Sequence, residues 1–247
     1  MGLFGSDDKP ATTAADTEVE ENGPLDSVAN AFVGKLLDFG IDGVGPLDSS
    51  AQVAAKARRE HRDVEEAIDE IVSDHMKKAG VGGFVTGFGG IVTMPVMLPA
   101  NVVEFYTLAT RMVAAIAELR GYDVSTKGAR SAVLLSLVGA DADDVIRRVG
   151  LSSAVGMTGS GRLATLAMSR MPKAAAMMVN KAVGFRLLTT VGGKALSRFV
   201  RFVPVAGGII GAGLDGFLMK RIADHAKREF TPRASTGAVL EASGDAL

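Results

Sequence analysis

Residues 80–103, GVGGFVTGFGGIVTMPVMLPANVV, carry no charged side chain. A transmembrane helix needs about 20 apolar residues, so the run is long enough for one. Yet it holds six glycines and two prolines, Pro95 and Pro99. Inside a helix each glycine costs about 1 kcal/mol and each proline about 3 kcal/mol relative to alanine. A plain span is therefore a poor reading. Turns or a broken helix are expected over 86–95, feeding a regular helix over 99–120. Pro99 suits a first helical position, and Gly121 suits a helix end. The alternative is a re-entrant or interfacial dip into a membrane.

The helix over 99–120 would place Glu104, Leu108, Arg111, Ala115 and Glu118 on one face. Val102, Phe105, Ala109, Met112, Val113 and Ile116 cover much of the rest. A helix apolar nearly all round is buried. Glu104 and Arg111 then point inward and need partners, since an unpaired buried charge costs several kcal/mol. Asp215, within GIIGAGLDGFLM, has the same requirement, and Arg130 and Arg186 sit beside apolar runs. Two arrangements meet it: a mutual ion-pair network, or a ligand site at the same place. The glycine-rich run would be the floor of such a pocket, with Glu104 in it.

No segment alternates apolar and polar residues as a strand does, and the valines sit in helical periods, so the chain reads as all-α. Hydrophobic residues make up 47% and charged residues 22%, enough for a real core. One multi-helix domain is expected over 26–230, with glycine-rich buried helices. An acidic disordered leader precedes it over 1–25, and a disordered tail follows over 231–247. A first helix fits 26–38, before the FGIDGVGP break. A long polar helix fits 48–79, with Asp48 as N-cap and Gly80 as stop, and it either packs on the rest or projects as an arm. Helices follow after Ser125 and Asp141. Further helical pieces, LATLAMSRM, KAAAMMVNKAVGFRLLTTVGG and KALSRFVRF, are punctuated by Pro172 and Gly192–Gly193, and a last helix fits 205–230.

Several chemistries are excluded or disfavoured. There is no cysteine, so no thiolate site or disulfide exists. The three histidines, His61, His75 and His225, have no metal-site spacing, and no metal or other cofactor is expected. GAGLDG at 211–216 spells GxGxxG, but the 31 residues after it leave no room for a βαβ unit. Close helix packing explains those glycines better, as do the GxxxG spacings Gly83/Gly87 and Gly207/Gly211. The leader has no apolar signal core, and MGLFGS fits the loose myristoylation pattern only formally.

Charge is divided unevenly. Residues 1–144 hold 12 Lys and Arg against 23 Asp and Glu, and residues 145–247 hold 15 against 5. Lys194, Arg198 and Arg201 form one helical stripe with Phe199 and Phe202 nearby, a pattern suited to anionic headgroups. A solvated face is the plain alternative. Nucleic acid is not expected, because no base-stacking platform is recognisable and the chain has no Trp and two Tyr.

Taken in order, GGFVTGFGGIVTMPVMLPAN, RMVAAIAELRGYD, LLSLVGADADDVIRRVG, VNKAVGFRLLTTVGGKAL and VPVAGGIIGAGLDGFLMKRIADHAKREF resemble the EcsC protein family. The likeness spans about 80–230, with a looser fit over 51–78. The family is bacterial and named for a member encoded beside an ABC-transporter operon. That context implies a cytoplasmic protein and makes myristoylation untenable, and it supplies no catalytic residues. Polar residues in the matching blocks, Asn101, Glu104, Arg111, Asn180, Arg186 and Asp215, are the candidate ligand cluster. Lys194, Arg198 and Arg201 are the candidate membrane-facing residues. The leading expectation is a non-enzymatic protein bound peripherally to an anionic membrane or a membrane complex, with a lipid as a possible ligand. A lipid-directed enzyme using a buried Glu/Asp/Arg cluster, and a helical scaffold docking through 48–79, are the alternatives.

Overall fold

The computed structural model describes residues 24–88, 90–148, 159–169, 173–199 and 204–233. Side-chain surroundings are described for these except 82–101, 188–199, 204–212 and a few end residues. The described residues are helical, joined by turns, with no strand. They form α1 (Pro24–Leu37), a π-turn (Asp38–Asp42), α2 (Ser50–Glu60), α3 (Val64–Phe88), α4 (Gly90–Leu119) and α5 (Lys127–Val138). A 3₁₀ turn (Gly139–Asp141), α6 (Ala142–Arg148), α7 (Arg162–Met168), α8 (Lys173–Phe199) and α9 (Pro204–Glu229) follow. The all-α expectation holds.

The expected polar helix over 48–79 is two helices. Ser49, not Asp48, caps α2: its hydroxyl accepts from the Gln52 amide at 3.2 Å, and the Gln52 side chain accepts from the Ser49 amide at 2.8 Å. This reciprocal pair satisfies two amides that a helix start leaves open. After Glu60 the chain turns, and Asp63 restarts it. Its Oδ1 accepts from the amides of Glu65 at 2.8 Å and Glu66 at 3.1 Å. The charged spacing that suggested one solvated helix conceals this second cap. Neither helix projects as an arm. Ala54 and Ala57 of α2, and Ala67, Ile68, Ile71 and Val72 of α3, are buried in the core.

Gly80 does not stop α3, which continues to Phe88. After residue 89, α4 starts at Gly90 and passes through Pro95 and Pro99 without ending. The run over 80–103 is thus a helical hairpin rather than a turn. α3 and α4 lie against each other, and such packing can outweigh a propensity cost of a few kcal/mol. The same holds for α8, one helix that runs through Gly192–Gly193. GAGLDG lies inside α9, with open space beside Gly213 and Gly216, so no close approach requires those two glycines. The surroundings of Gly83, Gly87, Gly207 and Gly211 lie outside the described residues.

The second half of α4 is the central helix, as expected: Met112, Val113, Ala114, Ala115, Ile116 and Ala117 are all fully buried. Leu36 of α1, Leu134 and Leu135 of α5, Leu187 of α8 and Met219 of α9 join the same core. Fully burying each large side chain stabilises the fold by about 1.5–3 kcal/mol. Gly184 of α8 sits on α1, where an added Cβ would lie 2.6 Å from the Ala29 carbonyl oxygen.

One ionic knot sets the alignment of α3, α4 and α9. Arg120, just past α4, bonds Glu65 at the start of α3 at 2.8 Å and the Phe230 carbonyl just past α9 at 3.3 Å. The Arg233 amide returns to the Arg120 carbonyl at 3.0 Å. Lys227 of α9 pairs with Asp69 of α3. The start of α3 and the ends of α4 and α9 therefore meet, so α3 runs antiparallel to the other two.

Candidate functional site

The knot fixes which residues stand at equal heights. Sixteen residues along the helices from Glu65 and Arg120, about 24 Å, stand Val81 on α3 and Glu104 on α4. Twelve residues from Asp69 and Lys227, about 18 Å, stand Val81 again and Asp215 on α9. Glu104 and Asp215 are the last charges on their helices before the far end, and on α3 nothing after Lys78 is charged. The three helices thus lose their charges at one level. Beyond it lie 81–88 of α3, 90–103 of α4 and 204–214 of α9, all uncharged. These arms are about 12, 21 and 17 Å long.

The border is exposed and apolar. Val81 is 65% exposed and Phe217 57% exposed, with Leu214 and Leu218 beside Phe217 on the same face of α9. On the charged side, Lys77, Lys78, Lys220 and Arg221 fall within the next two turns. Arg221 lies 6.0 Å from the Phe217 ring centre. Asp74 pairs with Lys77 at 3.8 Å and Asp224 with Lys220 at 3.1 Å. On α8, Met177, Met178 and Phe185 form a second exposed apolar stripe. Glycine and proline content pointed to this end of the molecule; its common level was hidden, because it depends on pairings distant in sequence.

The six polar residues expected to form a ligand cluster fare differently. Glu104 does not point inward: it is exposed. Burial of α4 begins one residue later, at Phe105, and becomes complete from Met112 to Ala117. Arg111 is buried, as expected, but without a carboxylate partner among the described residues. It donates to the Phe39 carbonyl at 2.8 Å, closing the end of the π-turn, and its Nε has no hydrogen-bond partner among the described residues. Burial lowers its pKa, and Asp48 partly offsets this. Arg186 pairs with Asp141 at 2.8 Å, tying α8 to the 3₁₀ turn. Asn180, on α8, keeps a buried Oδ1 without a hydrogen-bond partner among the described residues. Asp215 is half-buried. Arg201 lies outside the described residues, as do the side chains of Asn101, Lys194 and Arg198.

The charged end holds two features that the sequence did not flag. At the first, Glu229 is 4% exposed and its Oε2 accepts from the Leu163 amide at 2.8 Å, capping α7 from another helix. Gly161, the residue before α7, offers no side chain to do so. Burial raises the Glu229 pKa, and it pushes His225 down to about 4, with Arg228 and Arg162 adding to that. Arg162 pairs with Asp143 at 2.7 Å and holds α7 against α6. At the second, an open cleft of about 610 Å³ lies between the π-turn, the start of α2, the end of α4 and the α4–α5 turn. The pocket expected over 80–103 falls mostly on side chains outside the described residues, and Glu104 is exposed. The cleft is lined by Glu118, at the other end of α4.

Among the described residues, no group of three or more His, Asp or Glu side chains could hold a metal ion, and no helix is long and apolar enough to cross a membrane. The sequence profile of the EcsC protein family matches residues 47–234, from just before α2 to just past α9. No curated protein and no solved structure matches the chain.

Proposed function

The chain belongs to the EcsC protein family, and we propose that it associates with one face of a membrane by sinking its uncharged bundle end into the nearer leaflet. The observation that carries this reading is the shared level at which α3, α4 and α9 lose their charges. A hydrocarbon core is about 30 Å thick, so arms of about 12–21 Å reach about halfway and do not cross it. Helices satisfy their own main-chain hydrogen bonds, so a helical hairpin can enter lipid where irregular backbone cannot. Lys77, Lys78, Lys220 and Arg221 would then stand at headgroup height, where each cation near an anionic surface adds about 1 kcal/mol. Lys194, Arg198 and Arg201, one helical stripe in the sequence, are further candidates for anionic headgroups.

Flotation of the full-length protein with vesicles tests this. Binding to phosphatidylglycerol vesicles, weaker in high salt and lost in V81D/F217D, is the expected result. Charge reversal at Lys194, Arg198 and Arg201 should lower the preference for anionic lipid without abolishing binding to it. No flotation with any pure-lipid vesicle would sink the proposal. Flotation with native membranes alone would point to a membrane protein complex as the receptor.

A further inference from the structure

The cleft at the charged end is short of a hydrogen-bond donor whenever Glu118 is ionised. Ser50, the first residue of α2, is 1% exposed. Its Oγ lies 2.6 Å from Glu118 Oε1 and 3.2 Å from the Ile41 carbonyl oxygen. A serine hydroxyl has one proton. If Glu118 is ionised, Ser50 donates to it and the Ile41 carbonyl loses that donor. Both contacts are satisfied by single protons only when Glu118 is protonated and itself donates to Ser50. Burial favours that neutral form: it pushes the Glu118 carboxyl up, Asp123 adds to the shift, and the Ser50 bond opposes it.

Among the described residues no cation in the cleft relieves the shortage. Arg130 is the one basic residue in the described lining, and both its terminal nitrogens are engaged by Asp42, at 2.9 and 2.5 Å. The Arg130 Nε donates to the Val124 carbonyl at 3.2 Å. Asp123, in the α4–α5 turn, adds a further carboxylate, which takes the Ser125 amide at 2.9 Å and hydroxyl at 2.6 Å. From α2 the lining takes Ser50 and Ala51 and no charged side chain. With Asp42 and Arg130 offsetting each other, two acids remain, one of them at a buried floor that lacks a donor.

We infer that this cleft binds a small, water-soluble organic cation, whose ammonium or guanidinium group donates to Glu118 between α2 and α4. An ammonium group carries three donors and no acceptor, matching the deficit. The volume falls in the range of small-molecule sites, about 300–1,000 Å³. Ile41, Ala51 and Val124 supply apolar wall for a short carbon chain. A lipid headgroup is not the source, because Glu118 lies 14 residues along α4 from the charge border, about 21 Å of helix. Cation binding stands on the cleft and survives if the membrane reading fails; only the exclusion of a lipid headgroup rests on that reading.

Calorimetric titration of the full-length protein with putrescine, at constant ionic strength, tests it. Putrescine should bind, and succinate of similar length should not. Affinity should rise with pH, because Glu118 must release its proton to solvent before it can pair with the cation, and burial holds that proton above the usual carboxylate range. E118Q should weaken binding about tenfold or more, as expected for removing a charge-assisted contact. A51W fills the cleft from its exposed rim and leaves the carboxyl in place. It should abolish binding with an unchanged melting temperature, which keeps the test valid if E118Q folds poorly. Failure of putrescine, spermidine and agmatine to bind, or equal binding by wild type and A51W, would overturn the assignment. Binding of N-acetyl-lysine amide but none of these amines would overturn it in favour of a protein partner's lysine.

Discussion

The two ends of the α3–α4–α9 bundle are built on opposite principles. At one end Arg120, Glu65, Lys227, Asp69 and the Phe230 carbonyl hold three helices in register through directed bonds. At the other, a helical hairpin and the start of α9 carry no charge. Under the membrane proposal this is a division of labour, with the charged end fixing the fold and the uncharged end meeting the apolar phase.

Acid should strike the packed, charged side hardest. His75 is 1% exposed, and burial pushes its pKa from 6.5 down to about 4. Its folded pKa lies below its unfolded one, so the stability involved is complete above pH 6.5 and is lost as pH falls through about 4. The loss should approach about 3 kcal/mol, at about 1.4 kcal/mol per pKa unit. His225 adds to it in the same direction. Denaturant titrations from pH 7.5 to 4.5 should show a slope that H75Q reduces; an unchanged slope would refute the assignment. Glu118 and Glu229 act oppositely. Burial raises their folded pKa values, so their contribution is present at low pH and lost as pH rises through those values.

Next in size is the knot. R120A removes the bonds to Glu65 and to the Phe230 carbonyl. Glu65 is 55% exposed, so its stranded charge can be solvated. A loss of about 2–3 kcal/mol is expected, between the values for a surface and a buried pair. A shift in urea midpoint measures it, and a change below about 0.5 kcal/mol, the scale of surface substitutions, would show that packing alone sets the register. V81D/F217D at the opposite end should change stability by less than about 0.5 kcal/mol per site while removing vesicle binding. A large stability loss there would mean that those side chains are structural, and the contrast between the ends would collapse. Smallest of all, K220A breaks an exposed pair with Asp224 and should cost only tenths of a kcal/mol, while slightly weakening attachment to anionic vesicles.

Much of the fold was legible in local pattern. Helical periodicity gave the all-α class, and the apolar coat of residues 102–116 marked the central helix. The glycine and proline errors share one cause. Gly80, Pro95, Pro99 and Gly192–Gly193 were read as punctuation, because propensity is local and the packing that overrides it is not. Glu104 shares a helical face with Arg111, yet one is exposed and the other buried, because cover along α4 is uneven. Periodicity reports direction around a helix and is blind to height along it. The charge border and the Ser50–Glu118 contact both depend on residues tens of positions apart meeting in space, so neither leaves a short motif.

The position of α1 bears on how the protein is handled. It lies before the region that matches the family, yet Ala29, Phe32, Val33 and Leu36 are buried, and its backbone seats against Gly184 of α8. A truncation beginning at residue 47 would follow the recognised boundary and strip that cover from α4 and α8. The shortened chain would expose a greasy trench and clump during purification, and its insolubility would mimic membrane affinity.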